Sequence, residues 1–521
     1  MRGSPSAEES EAPEAPPGEP TGSAPPAPWD VAFDELPDAA PSLAPPRAAP
    51  WRRAPAWARI DWLLLGVITV LGGVLRFVRL SFPHAIVFDE TYYAKDACLY
   101  LNRGMAFCKT AQATEQSYVH PPLGKWMIAI GERLFGYNSF GWRFMPAVCG
   151  TAMVVIVFCI GRKLFGRWGA ALAGLLVATD FLLIAQSRIA TLDIFVAFWV
   201  ALGFLFVVRE RERILTLKER GEGRLDLRWR VAAGLCFGAA AACKWSGVYS
   251  LAGAGLMMLV WSVASSLRIR HRNLADGVPP RAPGPVAELH ATVLGVAIPA
   301  VAAYLASYLV WFKDHQWSPS AFYRLTNSMW QFNVTLHAKH PYASKMWTWP
   351  LVIRPVAYYF QQVTVHGVLK NEHILAFGNP ATWWASIAVF VYLVIRAVRR
   401  KYGAERLILN GWLFAYVPWI AASRTSFFFY MTPVVPFMML GLTDALLDFA
   451  RWARRAAPAH AEEPHHRALA ARLLDRWGAG VVTLYVVAAC GVALWFWYPV
   501  ITGVAIPVPW WQMRMLFNRW I

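Results

Sequence analysis

The chain has 521 residues, of which 57% are apolar and only 16% charged. Soluble proteins carry about 25% charged residues, so this composition excludes a soluble nucleic-acid binder, a secreted disulfide scaffold and a coiled coil. The apolar residues suffice for a polytopic membrane protein, because eleven spans of roughly 20 residues would occupy about 220 positions. Membrane topology, rather than nucleic-acid binding, then has to explain the net charge of +18.

Residues 1–60 differ in composition from the rest of the chain. The first fifty residues contain thirteen prolines and few large apolar side chains, too few to offset the entropy lost on ordering. We predict a disordered cytoplasmic tail, which lacks the basic start and apolar core of a cleavable signal peptide. The remainder divides into a membrane domain at 61–311, containing a first external loop at 80–142, and a second part at 312–521. In the second part, an external segment at 312–381 precedes four spans.

Eleven apolar runs are long enough to predict membrane helices. The loops between them alternate in composition, and one set, together with the tail, holds most of the 50 basic residues. The positive-inside rule assigns this set to the cytoplasm. The chain is therefore expected to span the cell membrane with its amino terminus in the cytoplasm and its carboxyl terminus on the external side. The predicted spans are 62–79, 143–161, 168–186, 190–208, 231–244, 246–266, 289–311, 382–396, 407–422, 427–447 and 477–499.

The two long external segments are rich in aromatic residues. In the first, Met127, Ile130 and Leu134 recur at helical spacing, which predicts an amphipathic helix lying on the membrane surface. Cys98 and Cys108 also lie there, on the oxidising side of the membrane. The spacing is compatible with a disulfide and with two free thiols, because sequence does not supply the geometry of a bridge.

Two adjacent carboxylates, Asp89 and Glu90, follow the first span and open a predicted helix. The amino-terminal dipole of that helix would hold them ionised, and an ionised carboxylate there can act as a general base. The alternative is structural, with Asp89 as the helix cap and Glu90 as a favourable charge in the first turn.

Further polar residues gather at the predicted external face of the membrane. Charges at membrane depth are expensive, so they pair with each other or mark a site, although each of them alone could be an interfacial anchor. Cations near a few carboxylates suit a lipid-borne phosphate, whose oxygens pair with arginine and lysine. These residues are His120, Lys125, Arg143, Arg188, Asp193, Lys244, Trp245 and Arg424.

The order of these motifs resembles that of the protein O-mannosyltransferase family over about residues 61–520. Each motif alone is weak, but their succession is specific. In the first half they are Phe88-Asp89-Glu90, His120-Pro121-Pro122-Leu123-Gly124-Lys125, Gln186-Ser187-Arg188 with Leu192-Asp193, and Lys244-Trp245-Ser246-Gly247. In the second half they are His340 to Lys345, Trp347 to Pro350, Gly378-Asn379-Pro380 before Trp383-Trp384, and Ser423-Arg424 with Phe427 to Tyr430 and Pro433.

The resemblance implies an all-α polytopic membrane protein of the GT-C glycosyltransferase type, with about eleven transmembrane helices and external amphipathic helices. Such enzymes transfer mannose from a polyprenyl phosphate mannose donor to Ser or Thr hydroxyls of exported proteins at the outer membrane face. Asp89 would be the catalytic base and Glu90 its partner, Arg143 matches a position needed for activity, and Asn379 joins the substrate-binding set. The segment 312–381 is too short for the β-trefoil domain of eukaryotic members, so the chain resembles a bacterial, actinobacterial-like member.

The chemistry can also be derived without the family. Phosphate is a good leaving group, so its departure needs cations more than a proton, and Lys125, Arg188, Lys244 and Arg424 are the candidates. The acceptor hydroxyl must lose its proton, and attack opposite the phosphate inverts the anomeric centre. No cofactor is required on this reading. A divalent ion could replace some cations, but Asp89, Glu90 and His120 are too few ligands without help.

Two other functions compete with this one. A lipid-linked sugar could be transferred to an envelope glycan or lipid instead of a protein, or the chain could be a transporter or flippase. The sequence lacks the internal repeat that transporters often have, and its charges lie near one face rather than the midplane. The expected partners are therefore the lipid donor, membrane lipid and exported acceptor proteins met near the secretion translocon, with no nucleic acid.

Overall fold

The computed structural model describes residues 56–101, 118–219, 226–280, 282–337, 339–399, 403–422, 424–455 and 476–520. Within these residues, every predicted span overlaps a helix. The predicted disordered tail lies outside the described residues, apart from residues 56–60.

The first half of the chain contains nine α-helices among the described residues. They are α1 (Arg59–Phe77), α2 (Glu90–Leu101), α3 (Leu123–Phe135), α4 (Ser139–Phe165), α5 (Arg167–Ala178), α6 (Phe181–Ser187), α7 (Asp193–Glu219), α8 (Arg228–Cys243) and α9 (Gly247–Ala275). The later helices are α10 (Pro285–Ala306), α11 (Leu309–Asp314), α12 (Pro319–Thr335), α13 (Pro380–Arg399), α14 (Ala404–Tyr416), α15 (Val435–Arg455), α16 (Arg476–Thr502) and α17 (Val508–Gln512).

Six described helices are long and apolar enough to cross a membrane, namely α1, α4, α9, α10, α13 and α16. The pair α5 and α6 qualifies as a seventh span, although it bends by 59° at the break. Asp180 lies at this break and caps α6 by accepting a hydrogen bond from the Leu183 amide at 3.0 Å. The other four predicted spans overlap helices that are shorter or more charged, so length and composition alone support six or seven spans.

The prediction of an entirely helical chain is wrong for the second external segment. Strands β1 (Val356–Val365) and β2 (Val368–Ala376) form an antiparallel hairpin, and β3 (Ile506–Pro507) pairs with β2. Strand β1 is rich in β-branched and aromatic residues, which favour extended structure. His366 and Gly367 make the two-residue turn with φ angles of 52° and 75°, the positive values that a tight hairpin requires.

Helices α3 and α4 meet in a tight corner beside the first external loop. A Cβ atom on Gly131 would lie 2.2 Å from the Gly141 carbonyl oxygen, so only glycine allows this approach. Gly136 ends α3 with a φ of 85°, and Asn138 caps α4 by accepting hydrogen bonds from the Phe140 and Gly141 amides. The corner fixes where α4 presents its first turns to the site.

Helix α3 confirms the predicted helix in the first external loop. Met127, near the start of the helix, is buried in the core, whereas Ile130 and Leu134, further along the same side, are exposed. Cys98 is disulfide-bonded. Cys108, with which the sequence allowed it to pair, lies outside the described residues.

Candidate active site

Glu90 holds the start of α2 in a fully buried ion pair with Arg143. The Arg143 Nε and Nη2 atoms donate to the two carboxylate oxygens at 2.7 and 2.8 Å. The amides of Val87 and Ala190 donate to the same carboxylate at 3.0 and 3.1 Å. Four donors surround this carboxylate, so Glu90 connects α2, α4 and the segment before α7 and has no free position to act as a base.

Arg143 also ties down the loop that leads to α2. Its Nη1 atom donates to the Pro83 carbonyl and its Nη2 atom to the Ala85 carbonyl, both at 2.9 Å. The guanidinium therefore has no donor directed at a phosphate. These contacts hold residues 83–90 in place, and Asp89 lies within this segment.

Asp89 is half-buried, and its carboxylate accepts no hydrogen bond from any residue in the described part of the chain. It therefore does not cap α2 through its side chain, and only its carbonyl oxygen accepts from the Tyr92 and Tyr93 amides. Burial raises the pKa of Asp89 to about 7, Lys244 opposes the rise and Asp193 adds to it. A carboxylate with these properties is available to take a proton near neutral pH.

Lys244 brings a cation to the same place. It follows the last residue of α8, and its Nζ atom donates to the two carboxylate oxygens of Asp193 at 2.9 and 3.0 Å. The Nζ atom also lies 4.1 Å from the centre of the Tyr430 ring. The predicted residues Lys244 and Asp193 thus form one buried pair at the ends of two helices.

Arg424 and His120 complete the polar cluster. The Arg424 guanidinium donates to the Asn333 side-chain oxygen and, at 3.5 Å, to the Tyr430 hydroxyl, while its buried Nε has no partner among the described residues. Burial lowers the pKa of His120 well below its usual value, and Lys244, Arg424 and Lys125 act in the same direction. His120 is therefore neutral in a positively charged surrounding.

The other predicted residues make structural contacts around this cluster. Lys125 on α3 pairs with Asp96 on α2 at 2.8 Å, and both are buried. Arg188 donates to the carbonyls at the end of α1, those of Arg76 and Val78, at 3.0 and 2.7 Å. Such contacts satisfy helix-end carbonyls that lack partners within the helix.

Asn379 and Trp245 also have protein partners. The Asn379 amide donates to the Ala489 carbonyl at 2.9 Å and links the start of α13 to α16. The Trp245 indole donates to the Tyr304 hydroxyl at 3.0 Å. These contacts favour a supporting role for both residues.

The structure thus brings Asp89, His120, Asp193, Lys244 and Arg424 together in one cluster and places the remaining predicted residues around it. Sequence reasoning missed the tyrosines that line the cluster, Tyr93, Tyr358 and Tyr430. Tyr430 lies within a quoted motif and Tyr93 three residues after Phe88-Asp89-Glu90, whereas Tyr358 lies in a strand that was not predicted. In such a cluster, a carboxylate with a raised pKa can take a proton from a hydroxyl while the cations hold a nearby anion.

The fold resembles that of the S. cerevisiae protein O-mannosyltransferase Pmt1-Pmt2 complex bound to the sugar donor, with a TM-score of 0.68 and 14% sequence identity. The similarity covers 89% of this chain and 93% of that chain. At this identity the comparison shows the fold alone.

Sequence comparison defines the family. Residues 66–270 match the model for dolichyl-phosphate-mannose-protein mannosyltransferase, and residues 319–520 match the C-terminal four-span region of protein O-mannosyltransferase. The polyprenol-phosphate-mannose–protein mannosyltransferase of Mycobacterium tuberculosis is 33% identical, covering 88% of this chain and 92% of the relative. The Mycolicibacterium smegmatis protein of the same name is 29% identical, covering 92% and 96%. The chain belongs to the protein O-mannosyltransferase family and is a glycosyltransferase, which confirms the resemblance inferred from its motifs.

Proposed function

We propose that this protein transfers mannose from a polyprenyl phosphate mannose donor to Ser or Thr hydroxyls of exported proteins at the outer face of the membrane. The names of its relatives give the donor class and the kind of acceptor. The observation that carries the proposal is the Asp89 carboxylate, which is half-buried, makes no hydrogen bond with the described residues and lies near Lys244.

In the proposed reaction, the acceptor hydroxyl oxygen attacks the anomeric carbon of the mannosyl group. The bond between that carbon and the phosphate oxygen breaks, and the phosphate leaves with the electron pair. Asp89 takes the hydroxyl proton. Attack opposite the phosphate converts a β-linked donor into an α-linked product.

Lys244 and Arg424 are the proposed partners of the leaving phosphate. Arg424 has a buried Nε without a partner in the described part of the chain, and Lys244 ends α8 beside the cluster. Their positive charge would stabilise the developing charge on the phosphate without proton transfer. Asp193 holds Lys244 in place.

The finer topology is part of the proposal. The arginine-rich loops support eleven spans, a cytoplasmic amino terminus and an external carboxyl terminus in the cell membrane. Residues 61–311 would then form the catalytic membrane domain, and residues 312–521 the external segment with its four spans. Acceptors would arrive from the translocon on the external side, where residues 80–142 and 312–381 would lie.

The test uses the purified full chain in vesicles whose orientation has been determined by protease accessibility of a terminal tag. Vesicles supplied with polyprenyl phosphate mannose should mannosylate an added Ser/Thr peptide only when the external face points outward. The product should be an α-linked mannosyl peptide. Mannose transfer to an envelope glycan but not to the peptide would contradict the proposed acceptor, and activity only with the opposite orientation would contradict the topology.

The transfer rate should depend on pH through Asp89. Its pKa is raised from 3.8 to about 7, so the base form predominates only above that pH. We expect kcat/KM to be level above about pH 8 and to fall about tenfold per unit well below pH 7. Thermal unfolding at each pH serves as the control for folding. A flat profile between pH 5 and pH 8 would show that a group of ordinary carboxyl pKa acts instead.

A further inference from the structure

Tyr358 occupies an irregular position in the hairpin. The pairing of β1 with β2 shifts register between Ala357 and Tyr359, so Tyr358 has no residue opposite it in β2. Such a bulge turns a side chain away from the direction that regular alternation would give. The Tyr358 side chain is buried, with only 4% of its surface exposed.

The ring of Tyr358 belongs to the aromatic group beside the polar cluster, and Asp89 and Asp193 act electrostatically on its hydroxyl. Its centre is 4.9 Å from that of Phe88, the residue before Asp89, and 6.1 Å from that of Phe429. The Phe429 ring centre in turn is 5.8 Å from the Lys244 Nζ atom. A sugar bound in the polar cluster, close to both Asp89 and Lys244, would therefore be near this aromatic group.

The hydroxyl group of Tyr358 is buried and has no hydrogen-bond partner among the described residues. A buried hydroxyl without a partner destabilises a protein unless a ligand or water satisfies it. Burial raises the pKa of Tyr358 well above its usual value, and Asp193 and Asp89 raise it further, so the group stays protonated and can donate. It is therefore a hydrogen-bond donor at the site that nothing in the described protein uses.

We propose that the Tyr358 hydroxyl donates a hydrogen bond to a hydroxyl group of the transferred sugar and selects the sugar at this site. This inference rests on the function proposed above. In this proposal the hairpin contacts the sugar of the donor through Tyr358, whereas Lys244 and Arg424 bind its phosphate.

The test compares Tyr358→Phe with the matched control Tyr359→Phe in the purified full chain. The Tyr359 hydroxyl is bonded to Gln361 and Glu372, at 2.5 and 3.1 Å, away from the site. The rate of mannosyl transfer to a Ser/Thr peptide is measured with polyprenyl phosphate mannose and with four donors that each lack one sugar hydroxyl. Thermal unfolding is measured on every protein.

Tyr358→Phe should lower kcat/KM for the mannosyl donor about tenfold, as expected for one lost hydrogen bond. Its melting temperature should equal or exceed that of the unaltered protein, because the substitution removes an unsatisfied polar group. For the unaltered protein, kcat/KM with one of the deoxy donors should be about tenfold lower than with the parent donor. For Tyr358→Phe, kcat/KM should be the same with that deoxy donor and with the parent donor. Tyr359→Phe should keep the unaltered rate and selectivity.

Three results would overturn the inference. The first is that Tyr358→Phe and the unaltered protein show the same ratio of kcat/KM between the parent donor and each deoxy donor. The second is that the unaltered protein uses all four deoxy donors at the same rate as the parent donor, a result that can be obtained without any variant. The third is a clearly lowered melting temperature of Tyr358→Phe, which would give the hydroxyl a role in folding. If the unaltered protein transfers mannose, these results reject only the role of Tyr358, whereas no transfer at all rejects the proposed function too.

Discussion

Asp89→Asn is expected to slow mannosyl transfer by about 100- to 10,000-fold, the range typical for the loss of a general base. The amide is nearly the same size as the carboxylate but cannot accept the proton at neutral pH. Because the Asp89 carboxylate accepts no hydrogen bond from the described residues, the fold should be unaffected. The measurement is the single-turnover rate with bound polyprenyl phosphate mannose and an excess of Ser/Thr peptide.

The matched control is Asp226→Asn, which makes the same chemical change at a carboxylate paired with Arg228 and partly exposed. It should leave the rate within about twofold of the unaltered protein. In cells, the Asp89→Asn protein should accumulate in the membrane while Ser/Thr-linked mannose disappears from external proteins. Retention of more than a tenth of the single-turnover rate would rule out Asp89 as the base.

Glu90→Gln should reduce both stability and activity, in contrast to the change at its neighbour. It leaves the Arg143 charge fully buried without a countercharge, and breaking such a pair typically costs about 3–5 kcal/mol. Activity should fall as well, because the Glu90–Arg143 pair holds the backbone that carries Asp89. Reversible unfolding in detergent, followed alongside transfer rate, measures the two effects.

Glu212→Gln provides the comparison for Glu90→Gln. Glu212 pairs with Lys163, but both side chains are partly exposed, at 23% and 17%. Solvent screens such a pair, so its loss should change the free energy of unfolding by about 1 kcal/mol or less. Equal stability of Glu90→Gln and the unaltered protein would contradict the supporting role of the buried pair.

The sequence supported most of the membrane architecture because long apolar runs have few alternative structures. A run such as 143–161 can satisfy its backbone in lipid only as a helix, and it lies within α4. The hairpin at 356–376 was not predicted because β2 has few β-branched residues and no aromatic ones, so only half of the hairpin has the composition of a strand. The third strand, β3, comes from the far end of the chain, and no local pattern reveals that pairing.

The sequence by itself determined that the chain is a polytopic membrane protein, which family it belongs to, and which charged residues could gather at one face. Only the tertiary structure distinguished between the adjacent carboxylates Asp89 and Glu90. Residues from α4 and from the segment before α7, far along the chain, enclose Glu90 with donors and leave Asp89 beside Lys244. Neighbours in sequence point in different directions, so the long-range packing around them decides which one supports the fold and which one is free for chemistry.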